Sequence, residues 1–140
     1  MRGPISDELG KIIGIAARPI VATIAAMAHG KTIKSKSGTV SSSGNNTILS
    51  AVSGKKLTVF ACKVTSITTT KVTALWQDGA GGTELWRHEI QTPANIHGGD
   101  AMAVTPPAWL FQGGTNTLLN LNLSGAIPVA YAISYWEDPA

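Results

Sequence analysis

Leu119-Asn120-Leu121-Asn122-Leu123 puts an apolar side chain on every second residue and an amide on those between. A helix would scatter these leucines around its axis, whereas a strand lines them on one face. The segment therefore reads as a strand with one face in a core and the other toward solvent. Toward the C-terminus, Gly125 and Pro128 set a turn, and Val129, Tyr131, Ile133 and Tyr135 resume strict alternation. Toward the N-terminus, Gly113-Gly114 and Pro106-Pro107 bracket Trp109-Leu110-Phe111, while Pro93 and Gly98-Gly99 precede Ala101-Met102-Ala103-Val104.

Further upstream the same grammar repeats. Val72, Ala74 and Trp76 share a face before the hairpin-type turn Asp78-Gly79-Ala80-Gly81-Gly82. Leu85, Arg87 and Glu89 then alternate with Trp86, His88 and Ile90. Lys56 to Ile67 alternates in two phases, Leu57, Val59 and Ala61 against Phe60, Cys62 and Val64, which a bulge accommodates. Ser53-Gly54-Lys55 separates it from Thr47–Val52, and a turn is expected at Gly44-Asn45-Asn46 after Thr39–Ser43. About eight strands at spacings of roughly 8–12 residues predict an all-β fold, a jelly-roll-like β-sandwich of antiparallel strands over residues 31–140.

Residues 1–30 differ. Ser6 with Asp7-Glu8 caps a short helix through Leu9, Ile12 and Ile13, which Pro19 ends. Ile5, Ile20, Ile24 and Met27 continue the apolar character, so the segment is expected to be an N-terminal arm inserted into a partner. Asp7, Glu8 and the Arg18-Pro19 interruption argue against a secretory leader, and no unbroken run reaches the roughly 20 apolar residues of a membrane span.

Only 14% of the 140 residues are charged, against about 25% in ordinary soluble domains. A surface of Ser, Thr, Asn, Gly and small apolar residues desolvates cheaply, which suits protein-to-protein contact. Seven lysines lie between His29 and Lys71 without an acid, and the acids gather after Val72. The lysines keep exposed strands soluble. They lack interleaved aromatics and arginines, so direct nucleic-acid binding is not expected.

No catalytic, cofactor or metal constellation is legible. Cys62 stands alone and reads as a small buried residue. His29, His88 and His97 are not at metal-ligand spacing, and period two would put Glu84 with His88 and Glu89 opposite. His97 and Asp100 read as a turn pair. Of Trp76, Trp86, Trp109 and Trp136, an exposed cluster would favour sugar binding; core or interface use is commoner. Tyr135 and Trp136 must face opposite ways, so one of the pair is an interface candidate beside Ile5, Leu9, Ile12, Ile13, Ile20, Ile24 and Met27.

Ser53-Gly54-Lys55-Lys56-Leu57-Thr58-Val59, Trp109-Leu110-Phe111-Gln112, Leu119–Ala126 and the ending Ala132-Ile133-Ser134-Tyr135-Trp136-Glu137 resemble the small jelly-roll proteins of tailed-phage virions. The resemblance covers residues 47–137 and is nearest to the cement (decoration) proteins of Bordetella-type podophage heads. It implies a non-enzymatic protein on the outer capsid surface of the virion, made in the host cytoplasm and bridging neighbouring major capsid proteins. It implies dimers or trimers, and symmetry favours a self-complementary homodimer. The alternative within the same family is a tail or fibre module with a carbohydrate-binding jelly roll.

Overall fold

A computed structural model describes residues 30–91 and 97–140. Ile5, Leu9, Ile12, Ile13, Ile20, Ile24 and Met27, and with them the expected arm and its helix, lie outside the described residues. The described residues form nine strands: β1 (Lys34–Val40), β2 (Gly44–Leu49), β3 (Lys55–Ser66), β4 (Val72–Asp78), β5 (Thr83–Ile90), β6 (Gly99–Ala103), β7 (Phe111–Gln112), β8 (Leu119–Leu123) and β9 (Val129–Pro139). One sheet runs β1-β9-β3-β6, with the two-residue β7 also on β3; the other runs β2-β8-β4-β5. All pairings are antiparallel.

With β7 set aside and the remaining strands renumbered in order, the sheets read 1-8-3-6 and 2-7-4-5. Successive strands cross repeatedly between the layers, which is the double Greek key of a jelly roll. The expected sandwich is thus present, with nine strands in place of about eight. The additional elements have plain causes. β1 is a hydrophilic edge, Lys-Ser-Lys-Ser-Gly-Thr-Val, exposed along nearly its whole length, so it carries no apolar alternation to read. β7 is too short to show a period.

The core lies between the sheets. Leu119, Leu121 and Leu123 of β8 are buried together with Val72, Ala74 and Trp76 of β4, facing Leu57, Val59, Cys62 and Val64 of β3 and Val129, Tyr131 and Ile133 of β9. Each large aliphatic side chain buried here contributes roughly 1.5–3 kcal/mol through removal of apolar surface from water.

Two local readings are corrected, and a third, the bulge in β3, is borne out. The turn expected at Gly44-Asn45-Asn46 falls at 41–43, and Gly44, at φ +79°, opens β2. β3 does change phase, and the bulge sits at Phe60, where the pairing with β9 slips between Val59 and Ala61. A second bulge, at Leu85, lies between the pairs Trp76–Trp86 and Gln77–Glu84. It moves Glu84 to the side of Arg87 and Glu89, where the Arg87 guanidinium pairs with both carboxylates, while His88 turns inward. The hairpin turn itself is as expected: Gly79 and Gly81 have φ of +87° and +70°. A Cβ on Gly82 would stand 1.9 Å from the Asp78 carbonyl oxygen, so glycine is required there.

Candidate functional site

The register of the β1-β9-β3-β6 sheet fixes what its solvent face presents. Residues that share a row across the strands are Ser35, Ser134, Ala61 and Ala103; then Ser37, Ala132, Lys63 and Ala101; then Thr39, Ala130, Thr65 and Gly99. Lys63 is the single charge in this field of small side chains. The middle of the face is a shallow groove of about 350 Å³ along Ala61, Lys63, Ala101 and Ala132. Small side chains leave the sheet surface flat and low in desolvation cost, so a second protein surface can approach it closely.

Where β9 passes the Phe60 bulge, the same face is closed. Trp136 projects on this side, outside the inter-sheet core, and stacks on Phe60 with ring centroids 5.4 Å apart. It is nonetheless only 3% exposed. Its indole N–H donates to Asp138 Oδ2 (2.7 Å), which also accepts from Thr58 Oγ1 (2.7 Å) and Gln112 Nε2 (3.2 Å). Asp138 Oδ1 pairs with Lys31. Burial works against this carboxylate's charge, but the donors from Lys31, Thr58 and Trp136 and the Lys31 charge hold it below the usual aspartate range. Lys34 Nζ reaches Glu137 Oε1 at 2.6 Å. The uneven charge along the chain is thus partly matched within the fold. Tyr135, half-buried, packs inward against the core. Neither member of the Tyr135–Trp136 pair stands out as an exposed anchor.

Beneath the face lies a polar cluster that the sequence reading missed. Cys62, His88 and Asp100 come from three strands in two sheets, so no spacing announces them. His88 is fully buried; its Nε2 accepts from Trp76 Nε1 at 2.9 Å, and its Nδ1 meets Asp100 Oδ2 at 2.7 Å. An indole N–H can only donate, so Nε2 carries a lone pair and Nδ1 carries the proton given to Asp100. Cys62 Sγ stands 3.6 Å from Nε2. The order Cys-His-Asp invites comparison with a nucleophilic triad. Here the base nitrogen is engaged by Trp76, and burial, with the Asp100 charge, pushes the Cys62 thiol up to about 12. A thiol held protonated is a packing group. The cluster ties β3, β4, β5 and β6 together across the two sheets. His97, read as the partner of Asp100, is replaced in that role by His88.

Of the four tryptophans, Trp76 and Trp136 are buried and Trp86 packs on the core against Phe111; Trp109 is 52% exposed. No pair of them forms an open platform for a sugar. Among the described residues no three or more His, Cys, Asp or Glu side chains gather as metal ligands. No helix of the described residues is long and apolar enough to cross a membrane.

No family model matches the chain, and no curated protein does. Among solved structures, a chain in the acidic stable capsid structure of Helicobacter pylori bacteriophage KHP30 is similar at a TM-score of 0.51 and 8% identity, covering 78% of this chain and 94% of that one. A chain of the virus-like particle of Macrobrachium rosenbergii extra small virus aligns at a TM-score of 0.40 and 15% identity, over 79% and 81% of the two chains. A Bacillus endospore appendage subunit, from disulfide-linked pili, aligns at 0.36 and 15%, over 76% and 89%. At these identities the likeness to the KHP30 chain is one of fold, a β-sandwich that the two chains share over most of their lengths.

Proposed function

We propose that this chain is a structural virion protein without enzymatic activity, a cement protein that docks on the outer capsid surface and bridges neighbouring major capsid proteins. The observation that carries the reading is the flat, nearly uncharged outer face of the β1-β9-β3-β6 sheet, made of Ala61, Ala101, Ala103, Ala130, Ala132 and Ser134 around Lys63. A face of this kind suits a protein partner better than a small ligand, because it has no enclosed cavity and few directional groups. The fold shared with a phage capsid chain and the resemblance of residues 47–137 to phage cement proteins support the same reading.

The arm of residues 1–30 is the second contact in this proposal, with Ile5, Leu9, Ile12, Ile13, Ile20, Ile24 and Met27 as its apolar anchors. Packed DNA pushes a shell outward, and capsomer junctions yield first. A small protein spanning a junction buries surface on both sides, repeatedly over the particle. Because it binds the assembled shell and not the separated subunits, linkage stabilises assembly.

The test is copy number in purified virions, by mass spectrometry against the major capsid protein. A number comparable with that of the capsid subunit is expected. A few copies per particle, retained with tails, would overturn the cement role in favour of a tail or fibre module.

A further inference from the structure

The two sheets of the described fold end in four edge strands, and three of them are guarded. β1 carries Lys34 and Lys36, β2 is broken by the register slip between Thr47 and Leu49, and β5 is lined by Glu84, Arg87 and Glu89. Lysines, bulges and charges are the usual devices that stop an edge from pairing with another chain. β6, Gly99-Asp100-Ala101-Met102-Ala103, has no lysine, no proline and no bulge, and all five residues are exposed. Its single charged side chain, Asp100, is held against His88.

The pairing of β6 with β3 shows which of its backbone groups are free. The Ser66 N–H donates to Gly98 O, and the Val104 N–H donates to Phe60 O. Antiparallel pairs alternate, so Asp100 and Met102 also direct their N–H and C=O toward β3, opposite Val64 and Cys62. Gly99, Ala101 and Ala103 direct theirs away from the sheet, and among the described residues no hydrogen bond takes them up.

We propose that β6 pairs antiparallel with β6 of a second copy about a two-fold axis through Ala101, joining the two sheets into one. In that register Ala101 faces Ala101, and Gly99 faces Ala103 in both directions. Every free N–H and C=O of the edge then finds a partner. The side chains in these pairs are glycine and alanine, so nothing obstructs the approach, and Asp100 lies opposite Met102 rather than another acid. Met102, 46% exposed in the single chain, gains a neighbour across the axis. The flat Ala/Ser/Thr face becomes continuous across both copies. A second copy is favoured over an unrelated strand because the register is self-complementary, as an isologous contact requires. A five-residue edge buries less than the about 1,600 Å² of a standard interface, so association of the isolated chain depends on concentration.

The purified full-length chain tests this without any shell. Directly opposed Ala101 Cα atoms would lie about 5.5 Å apart. In an Ala101→Cys variant a short bismaleimide links the two copies into a covalent dimer. Ala130→Cys is the control. It sits on the same face two strands away, and five strand spacings separate it from its mate, about 24 Å. Cys62 is buried and leaves the wild type unlinked. Adding Ala103→Pro to Ala101→Cys removes outward N–H donors only, which an edge strand tolerates, and should slow linking about tenfold or more. Linking of Ala101→Cys no faster than of Ala130→Cys overturns the pairing even if the double variant fails to fold. The proposal does not rest on the virion reading, whose own failure would appear in the copy number.

Discussion

Asp138 is where single side chains do most to hold the C-terminal strand. One carboxylate gathers Lys31, Thr58, Gln112 and Trp136, and so ties the start of the described chain, β3, β7 and β9 into one knot. Its charged form is favoured in the folded state, so its proton affinity there lies below that of the unfolded chain. The sign follows directly: the stabilisation is present above the ordinary aspartate value of about 3.9 and fades as pH falls through the lowered folded value. Asp138→Asn should therefore cost about 1–3 kcal/mol near neutrality, as expected for hydrogen bonds to a charged group. Urea unfolding of both proteins at neutral pH and in acid checks it; a gap that persists unchanged into strong acid would show that the charge is not what matters. None of this was legible beforehand. Parity required one of Tyr135 and Trp136 to lie outside the core without saying which; Trp136 does, and sequence could not show that Phe60 would arrive through a bulge to cover it. The Cys62–His88–Asp100 contact was hidden for the same reason, since its members meet only once two sheets stack.

Strands with an apolar core face were legible, and β8 is the clearest. Its other side is not the wet face its amides suggest: Asn120 is fully buried, its amide N–H groups donating to Asn45 Oδ1 and Gln77 Oε1 at 2.9 Å each. The leucines of β8 alternate because β2 and β4 flank it while the opposite sheet covers one side only. Leu121, wholly buried and paired with Trp76, sits at the centre of the sheet. Leu121→Asp leaves a charge in that position with no cation to meet it. The cost exceeds the roughly 2–5 kcal/mol of truncating a core leucine to alanine and is comparable with the whole stability of a small domain. Tryptophan fluorescence and circular dichroism should show no cooperative fold; a soluble, folded Leu121→Asp protein would mean that β8 tolerates another register. β1 and β6 were harder to read because exposure on both faces removes the alternation that marks a strand. Bulges were foreseen only where two apolar phases collide, as in β3. The Leu85 bulge changes the parity of charged residues alone, so Glu84 was assigned to the wrong side.

At the scale of the whole molecule, the division of the chain decides how it can attach to anything. The described sandwich already closes its own core between a five-stranded and a four-stranded sheet, and a chain of this length buries enough surface to fold without outside help. Its first anchored residue is Lys31, through Asp138. A deletion of residues 1–28 therefore leaves every described contact in place, and we expect a folded protein with nearly unchanged unfolding midpoint. In the proposed role, that protein should lose its attachment to purified shells, because seven large apolar side chains leave the binding surface. Co-sedimentation with cement-free capsids separates the cases. An unfolded truncation would make the apolar segment part of the domain's own core. A folded truncation that still sediments with shells would move the whole attachment to the flat face of the β1-β9-β3-β6 sheet. Loss of attachment with the fold intact would divide the labour, the arm gripping the shell and the sandwich spanning the junction.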